Sequence, residues 1–352
     1  MARVAKCGRC RCGEQVEVRL TAGAAHFRGV SSCGSVWACA VCAAKVSARR
    51  TDEITRTLAG HFAAGGGVEM LTMTLPHTAG DRLKRTRKLA ADAWKRVQQG
   101  RGWLALKQTV GVVGSIRALE ITHGANGWHP HIHVLILTAR ALTDAERERV
   151  RGYAFGVWKR SVVQDGHTAP QAYCTTMQAI TNAGIAEYAT KLGAALELTQ
   201  GAAKLGRSRE SRTAFGILAD FLTDGDDADL TLWREWERDT KGARQLTWSK
   251  GLKARYGLAE KSDEEIARDA DDEGTLAGVL TPDEWRIAVA VPGMRVRLLE
   301  VTERGGARAL DAMLSQLRPP EKPGGKTGGK TGGKTGKPYR AHNALRTLWG
   351  CS

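Results

Sequence analysis

The sequence predicts an α+β fold in which helices pack on one face of a central antiparallel sheet. Residues 115–138 have the pattern of a β-hairpin around Asn126-Gly127, and the apolar and β-branched run 71–76 is typical of a strand beside it. Apolar residues at helical spacing predict a helix over 82–101, and a Thr-x2-Glu capping box predicts the start of another at 143. Strands interleaved with helices around a hairpin favour this class.

The 352-residue chain divides by composition into four predicted segments. A cysteine-rich segment at 1–50 precedes the sheet domain at 51–200. A mainly helical region at 201–318, for DNA binding or oligomerisation, is followed by a flexible Gly/Lys tail at 319–352. The tail matches the phosphate-loop pattern at 324–331, but a GGKT repeat flanked by prolines lacks the strand and helix that such a loop needs.

The charge points to a polyanionic partner. The chain carries 53 Lys and Arg against 37 Asp and Glu, a formal net charge of +16, which makes nucleic acid the first expectation. Its apolar runs are too short to cross a bilayer, and no apolar export segment stands at its start. We therefore expect a cytoplasmic protein with no membrane partner.

One dense basic run lies on the helix predicted over 82–101. Its apolar stripe, which includes Trp94, is expected to face the core and to present the basic side to DNA phosphates. An ordinary solvated helix face has the same pattern and remains an alternative. The DNA-binding candidates are Arg82, Arg85, Lys88, Lys95 and Arg96.

The cysteines are concentrated at the N-terminal end, with six of the eight in the first 42 residues. The pairs Cys7-x2-Cys10 and Cys39-x2-Cys42 have the spacing that places two thiolates on one tetrahedral ion, so we predict a structural Zn²⁺ site. Buried free thiols and a redox pair are the alternatives. The competing ligands are Cys12 and Cys33.

The hairpin carries the most informative side chains. A two-residue turn at Asn126-Gly127 would place Thr122 opposite His131 and Glu120 opposite His133. Because side chains alternate along a strand, both histidines and Glu120 would then share one face. Two imidazoles and a carboxylate make an open ligand set for a divalent cation that keeps positions free for substrate.

Two further histidines flank this set. His129 shares the alternation of His131 and is an alternative or additional ligand, although Pro130 interrupts a regular strand there. His123 falls on the opposite face and is a weaker candidate.

A third functional segment is the helix predicted over 182–198. Tyr188 lies at the edge of its apolar stripe, and Lys191 lies one turn further toward solvent. The pair alone is weak evidence of function, and it indicates a functional site only in combination with the histidine strand.

Three segments in this order resemble the rolling-circle replication initiator (Rep) proteins of bacterial plasmids, within the HUH endonuclease superfamily. They are LTMTLPH at 71–77, HPHIHVLI at 129–136 and EYATK at 187–191. The cysteine-rich lead, which ends in SCGSVWACAVC, is similar to the version found on actinobacterial plasmids. The resemblance implies the HUH fold for the sheet domain.

The resemblance also implies an activity, the nicking of single-stranded DNA at the plasmid's double-strand origin. His131 and His133 would hold Mg²⁺ or Mn²⁺, Tyr188 would be the nucleophile and Lys191 its electrostatic helper. Glu120 joins the metal ligands by hairpin geometry. The products would be a 5′-phosphotyrosine and a 3′-OH primer, with later rejoining of the strand. Origin DNA, a host helicase and a DNA polymerase would be the partners.

Several alternatives remain open at this stage. The acid that activates water at termination would be Glu187 or Glu197, or a second subunit of a homodimer would supply another tyrosine. A single-tyrosine HUH transposase or a mobilisation relaxase would use the same chemistry on other DNA. A zinc-containing DNA-binding regulator without catalysis would use the histidines structurally.

Overall fold

The computed structural model describes residues 2–181 and 211–317, and these form two units. The smaller unit contains 2–34 and 264–317, and the larger contains 35–181 and 211–263. The following predicted features lie outside the described residues: the helix at 182–198 with Tyr188, Lys191, Glu187 and Glu197, and the tail at 319–352.

Both units contain helices and strands, and we number them in chain order. None of the helices described is long and apolar enough to cross a bilayer. A short 3-10 helix at Ala172–Cys174 precedes β6. The elements are α1 (Ala2–Lys6), β1 (Val16–Thr21), β2 (Ala24–Arg28), α2 (Ala40–Ala63), β3 (Gly67–Thr74), α3 (Leu83–Val97), α4 (Arg101–Thr109), β4 (Val112–Gly124), β5 (Gly127–Thr138), α5 (Asp144–Gln164), β6 (Thr175–Ile180), α6 (Ala214–Asp224), α7 (Asp227–Thr240), β7 (Leu246–Trp248), α8 (Leu252–Arg255), α9 (Asp263–Asp272), β8 (Thr275–Leu280), α10 (Pro282–Ala290) and α11 (Met294–Leu317).

The larger unit is built on a five-stranded sheet in the order β6-β3-β5-β4-β7, and every neighbouring pair is antiparallel. The predicted α+β class with a central antiparallel sheet is therefore confirmed. The mainly helical character predicted for the C-terminal region also holds over 211–317, where strands are short.

One face of this sheet is apolar at one end of its strands and polar at the other. Ile54 and Leu58 of α2 pack with Leu252 of α8 against the apolar half, where Leu135 and Leu137 of β5 are fully buried. Further along the same face, β5 carries histidines that are only partly buried. The apolar half forms a core, and the polar half is available for chemistry.

The opposite face is also covered. Leu71 and Met73 of β3 and Val134 of β5 are fully buried on it, and both strands contact α3 or α5. Trp158 of α5 donates its indole N–H to the carbonyl of Thr74 at 3.1 Å. Helices therefore lie on both faces, and the prediction of helices on one face was wrong. The unbroken apolar run that contains Val134 is the pattern of a strand buried on both sides.

A buried histidine links the end of α2 to the start of β3 and the end of β5. His61 Nε2 lies 3.1 Å from the Gly67 carbonyl and 2.9 Å from the Thr138 carbonyl, and Nδ1 lies 2.7 Å from the Tyr256 hydroxyl. Because carbonyls only accept, Nε2 carries the proton and Nδ1 accepts from the tyrosine. Burial lowers the pKa of His61, so the ring is neutral at neutral pH.

The smaller unit has its own three-stranded antiparallel sheet, in the order β2-β1-β8. Its core joins Val16 and Val18 of β1 to Leu280, Trp285 and Leu298. The two ends of the described chain therefore form one unit, and its limits differ from the predicted boundaries at 50 and 200. Pairing of β1 with β8 joins residues far apart in sequence, which composition does not signal.

Candidate metal centre

Three side chains converge on the polar half of the larger sheet. Glu120 Oε2 lies 2.9 Å from His131 Nε2 and 2.9 Å from His133 Nε2. These three ligand atoms all lie within 4.8 Å of one another, and the three residues are partly buried. The structure thus brings together the three side chains that the alternation predicts on one face.

The strand register differs from the predicted one by two residues. Glu120 pairs with His131, and Thr122 pairs with His129. The predicted pairs, Thr122 with His131 and Glu120 with His133, were wrong. A shift of two residues preserves the face on which each side chain lies, so the ligand group survives the change of register.

The turn explains the shift. Ala125 and Asn126 connect the strands, and Gly127 already belongs to β5 with φ of +83°. Neither Ala125 nor Asn126 has positive φ, so the turn is not the type I′ turn that Asn-Gly favours. A side chain at 127 would also place its Cβ 3.0 Å from Ala79 Cα, so this approach requires glycine.

Hydrogen bonds at Nδ1, the ring nitrogen that does not face Glu120, orient the rings of His131 and His133. His131 Nδ1 lies 3.4 Å from the His129 carbonyl, and His133 Nδ1 lies 2.9 Å from Thr72 Oγ1. A carbonyl only accepts, so Nδ1 of a neutral His131 carries the proton and its Nε2 lone pair faces Glu120. Nitrogen and carboxylate lone pairs that face one another at 2.9 Å need a positive charge between them. The donor set therefore fits a cation.

Thr72 was not singled out from the sequence as a neighbour of the candidate metal ligands. It lies in β3, and the only signal of its face is the two-residue spacing that puts Met70, Thr72 and Thr74 on the same side of the strand. Its partner is set by the pairing of β3 with β5, where Thr72 lies opposite His133.

The carboxylate supplies negative charge. Burial alone would raise the pKa of Glu120, but hydrogen bonds and charges of His131 and His133 in their protonated forms lower it well below its usual range, and a cation held in place of those protons acts in the same direction. The side chain is therefore ionised at neutral pH, as a ligand for a hard divalent cation must be.

His129 and His77 lie beside the ligand group. Their rings stack with centroids 4.5 Å apart, and the His129 ring lies 5.0 Å from that of His131. Burial and the charges of its two neighbours lower the pKa of His129 to about 4, so the ring is neutral. His129 is not among the converging ligand atoms. His123 packs edge-on against Trp128, away from the group.

An open cleft adjoins the stacked pair. Tyr173 on its wall is 80% exposed, and the cleft offers both aromatic and polar groups. The lining residues are Leu75, Pro76, His77, Thr168, Ala169, Gln171, Tyr173 and Cys174.

In the smaller unit, Cys7 lies beside Cys33. The Cys33 backbone N–H donates to Cys7 Sγ at 3.4 Å, and the two sulfurs are within 4.8 Å of each other. The Gly8 N–H donates to the Ser31 carbonyl and the Ser31 N–H donates to the Cys10 carbonyl, both at 2.8 Å, and these two bonds align the segments that carry Cys7 and Cys33. The geometry thus favours Cys33, named above as a competing ligand, over Cys10 beside Cys7. The exposed Cys12 places its sulfur 3.4 Å from Ser31 Oγ.

In the larger unit, the second CxxC pair lies at the start of α2. Cys39 is the N-cap residue and Cys42 lies in the first turn, and both are buried. Their sulfurs are within 4.8 Å of each other, as the spacing predicts. The zinc site itself stays a prediction.

The basic face of α3 is partly neutralised. Lys88 pairs with Asp92, and Arg96 makes two hydrogen bonds to Asp165 at 2.9 and 3.0 Å. Such surface pairs reduce the charge available to phosphates. Among the described residues, the candidates that form no ion pair with a carboxylate are Arg82, Arg85 and Lys95, although the charge of Arg85 acts on Asp81.

Comparison with known proteins places the chain in a family. It is 28% identical to "Protein rep" of Streptomyces lividans, over 77% of this chain and 75% of the relative. It is 34% identical to "Neomycin resistance protein" of Streptomyces cyanogenus, over 38% of this chain and 37% of the relative. No solved structure matches the chain significantly. The replication protein family matches residues 26–284, well over half of the chain. The resemblance to plasmid replication initiators is thereby confirmed, and the chain belongs to the replication protein family.

Proposed function

We propose that the protein starts rolling-circle replication by nicking one DNA strand at a plasmid's double-strand origin. The observation that carries this proposal is the convergence of Glu120 Oε2 with the Nε2 atoms of His131 and His133, 2.9 Å from each. Three such side chains hold a divalent cation and leave coordination positions for a phosphate. Membership of the replication protein family supports DNA as the substrate.

The metal ligands of this proposal are Glu120, His131 and His133, with Mg²⁺ or Mn²⁺ as the ion. When bound, the ion supplies positive charge to the scissile phosphate. Thr72 and the His129 carbonyl hold the Nδ1 atoms of the two rings, which keeps both Nε2 atoms directed at one point.

Tyr188 is the proposed nucleophile, and Lys191 is its proposed helper. Both lie outside the described residues but inside the region matched by the family. The phenol oxygen forms a bond to phosphorus as it loses its proton, the bond from phosphorus to the 3′ oxygen breaks, and that oxygen gains a proton. The ammonium group of Lys191 is proposed to stabilise the phenolate, because a tyrosine hydroxyl has a pKa near 10 and is mostly protonated at neutral pH. The 5′-phosphotyrosine keeps the energy of the phosphodiester, so rejoining requires no ATP.

The cleft beside His77 supports a single strand as the substrate. The stacked rings of His77 and His129 and the exposed ring of Tyr173 offer flat surfaces to unpaired bases. The HUH fold, a host helicase and a DNA polymerase belong to the same proposal through the resemblance.

The test is covalent capture. Incubation with single-stranded origin oligonucleotides and Mn²⁺ should yield a protein–DNA adduct that survives a denaturing gel. We expect no adduct from Tyr188→Phe, and none from the double variant His131→Ala with His133→Ala. His123→Ala is the matched control, because His123 packs against Trp128 outside the ligand group.

The outcomes separate the candidate functions. An adduct that persists in Tyr188→Phe would refute the assigned nucleophile, and one that persists in the double histidine variant would refute the metal centre. Tight DNA binding without any adduct in the unmodified protein would instead indicate a non-catalytic DNA-binding regulator.

A further inference from the structure

The turn between α7 and β7, residues 241–245, is surrounded by basic side chains. Lys241 and Arg244 belong to the turn and are exposed. Arg117 of β4 reaches the turn itself, and Arg87 of α3 reaches Asp239 at the end of α7, just before the turn. We call Arg87, Arg117, Lys241 and Arg244 the turn cluster.

The two arginines from neighbouring elements are anchored by neutral acceptors. Arg117 Nη2 donates to the Arg244 carbonyl at 3.0 Å and to Thr247 Oγ1 at 2.9 Å. Arg87 Nε donates to the Asp239 carbonyl at 3.0 Å. These hydrogen bonds hold one guanidinium group at the turn and the other at the end of the preceding helix, but main-chain and hydroxyl oxygens cancel none of their charge.

The nearest carboxylate already has a partner. Asp239 accepts from Arg238 at 2.6 and 3.0 Å, which with the charge of Lys84 lowers the pKa of Asp239. Its charge acts on Arg87 as well, without an ion-pair contact between the two side chains among the described residues. Within the part of the chain that the structure describes, no carboxylate forms an ion pair with any member of the turn cluster.

This arrangement of positive charge has an energetic consequence. Burial, with the charges of Arg244 and Arg87, lowers the pKa of Arg117 to about 10. The group still carries its charge at neutral pH, so it is repelled by Arg87 and by the exposed Arg244, and its own burial leaves little water to screen that repulsion. Buried charges are stable when paired, and an anion placed here would relieve the repulsion.

The turn cluster lies away from the metal centre. Arg117 and Glu120 are three residues apart on the same strand, and the pairing of that strand is regular between them. Side-chain alternation therefore puts them on opposite faces of the sheet. A phosphate at the turn cluster cannot be the phosphate that is cut.

We infer that the turn cluster binds backbone phosphates of origin DNA outside the nick site, on the sheet face opposite the metal centre. Guanidinium groups suit phosphate oxygens because their N–H donors are arranged for two parallel hydrogen bonds. The inference rests on the proposed function only for the choice of DNA as the polyanion. Phosphate contacts of this kind position the duplex and do not read its sequence.

The experiment compares two variants that remove the same charge. Lys241→Gln with Arg244→Gln removes two exposed cations of the turn cluster. Arg101→Gln with Lys107→Gln removes two exposed cations of α4 and is the matched control. Binding is measured by fluorescence anisotropy at several salt concentrations, with an origin duplex and with a short single strand that carries only the nick site.

We expect the turn-cluster variant to bind the duplex at least tenfold more weakly at low salt. For this variant, the slope of log affinity against log salt concentration should be less negative by about two, because each phosphate contact contributes about 0.9 to the slope. Binding and nicking of the short strand should not change. The control variant should lose much less duplex affinity.

Equal losses in the two variants would overturn the inference, because net charge alone would then explain them. An unchanged salt slope in the turn-cluster variant would overturn it too. The measurement requires no nicking, so failure of the proposed catalytic function leaves this test intact.

Discussion

The hydrogen bond from His133 Nδ1 to Thr72 Oγ1 provides a sharp test of the metal centre. Thr72→Val removes the hydroxyl and keeps the shape of the side chain. His133 then loses the partner that holds its ring, while Glu120, His131 and His133 all remain. The variant therefore changes the orientation of a ligand without removing one.

The expected magnitude follows from the geometry. At 2.9 Å this is a hydrogen bond of ordinary length between partly buried groups, with a net value of about 0.5–1.5 kcal/mol. Loss of a hydrogen bond that orients a metal ligand typically costs 10- to 100-fold in metal affinity. The two estimates meet near 1.4 kcal/mol, so we expect about tenfold weaker binding of Mn²⁺.

The assay is titration of the protein with Mn²⁺, in which electron paramagnetic resonance reports the free ion. Thr74→Val is the matched control on the same strand, because Thr74 lies opposite His131 as Thr72 lies opposite His133, but its Oγ1 donates to the Cys174 carbonyl at 3.3 Å and not to an imidazole ring. Equal Mn²⁺ affinity in Thr72→Val and the unmodified protein would refute the assigned role of Thr72. Equal losses in both variants would point to a general effect on the strand.

Three further predictions concern stability and metal content. The pKa of His61 is lowered in the folded protein, so the unfolded chain binds the proton more tightly and the free energy of unfolding should fall as the pH drops through about 6.5 toward 5; urea titrations should show a smaller fall for His61→Gln. Leu58→Ala empties a fully buried site of the core and should lower the free energy of unfolding by about 2–5 kcal/mol, whereas Val41→Ala, at a side chain 57% exposed, should change it by less than about 0.5 kcal/mol in the same titration. Metal analysis of the purified protein should find about one tightly bound zinc per chain, and a clearly lower content would contradict the predicted cysteine site.

Local patterns carried the predictions that the structure confirms around Glu120, His131 and His133 and at one helix start. Alternation alone placed Glu120, His131 and His133 on one face, and it tolerated an error of two residues in the register. The Thr143 and Glu146 capping box is present at the start of α5, where each side chain bonds the other's backbone N–H. These features depend on residues a few positions apart, and short-range geometry is nearly the same in every fold.

The chain of residues by itself determined the class of the sheet and the shared face of Glu120, His131 and His133. Only the tertiary structure decided that Thr72 supports His133, that Cys33 lies beside Cys7, and that helices cover both sheet faces. It also decided that β1 pairs with β8 and that Arg117 reaches the turn before β7. Each of these contacts joins residues distant in sequence, and their partners are selected by packing and strand pairing, for which a single sequence carries no local periodicity.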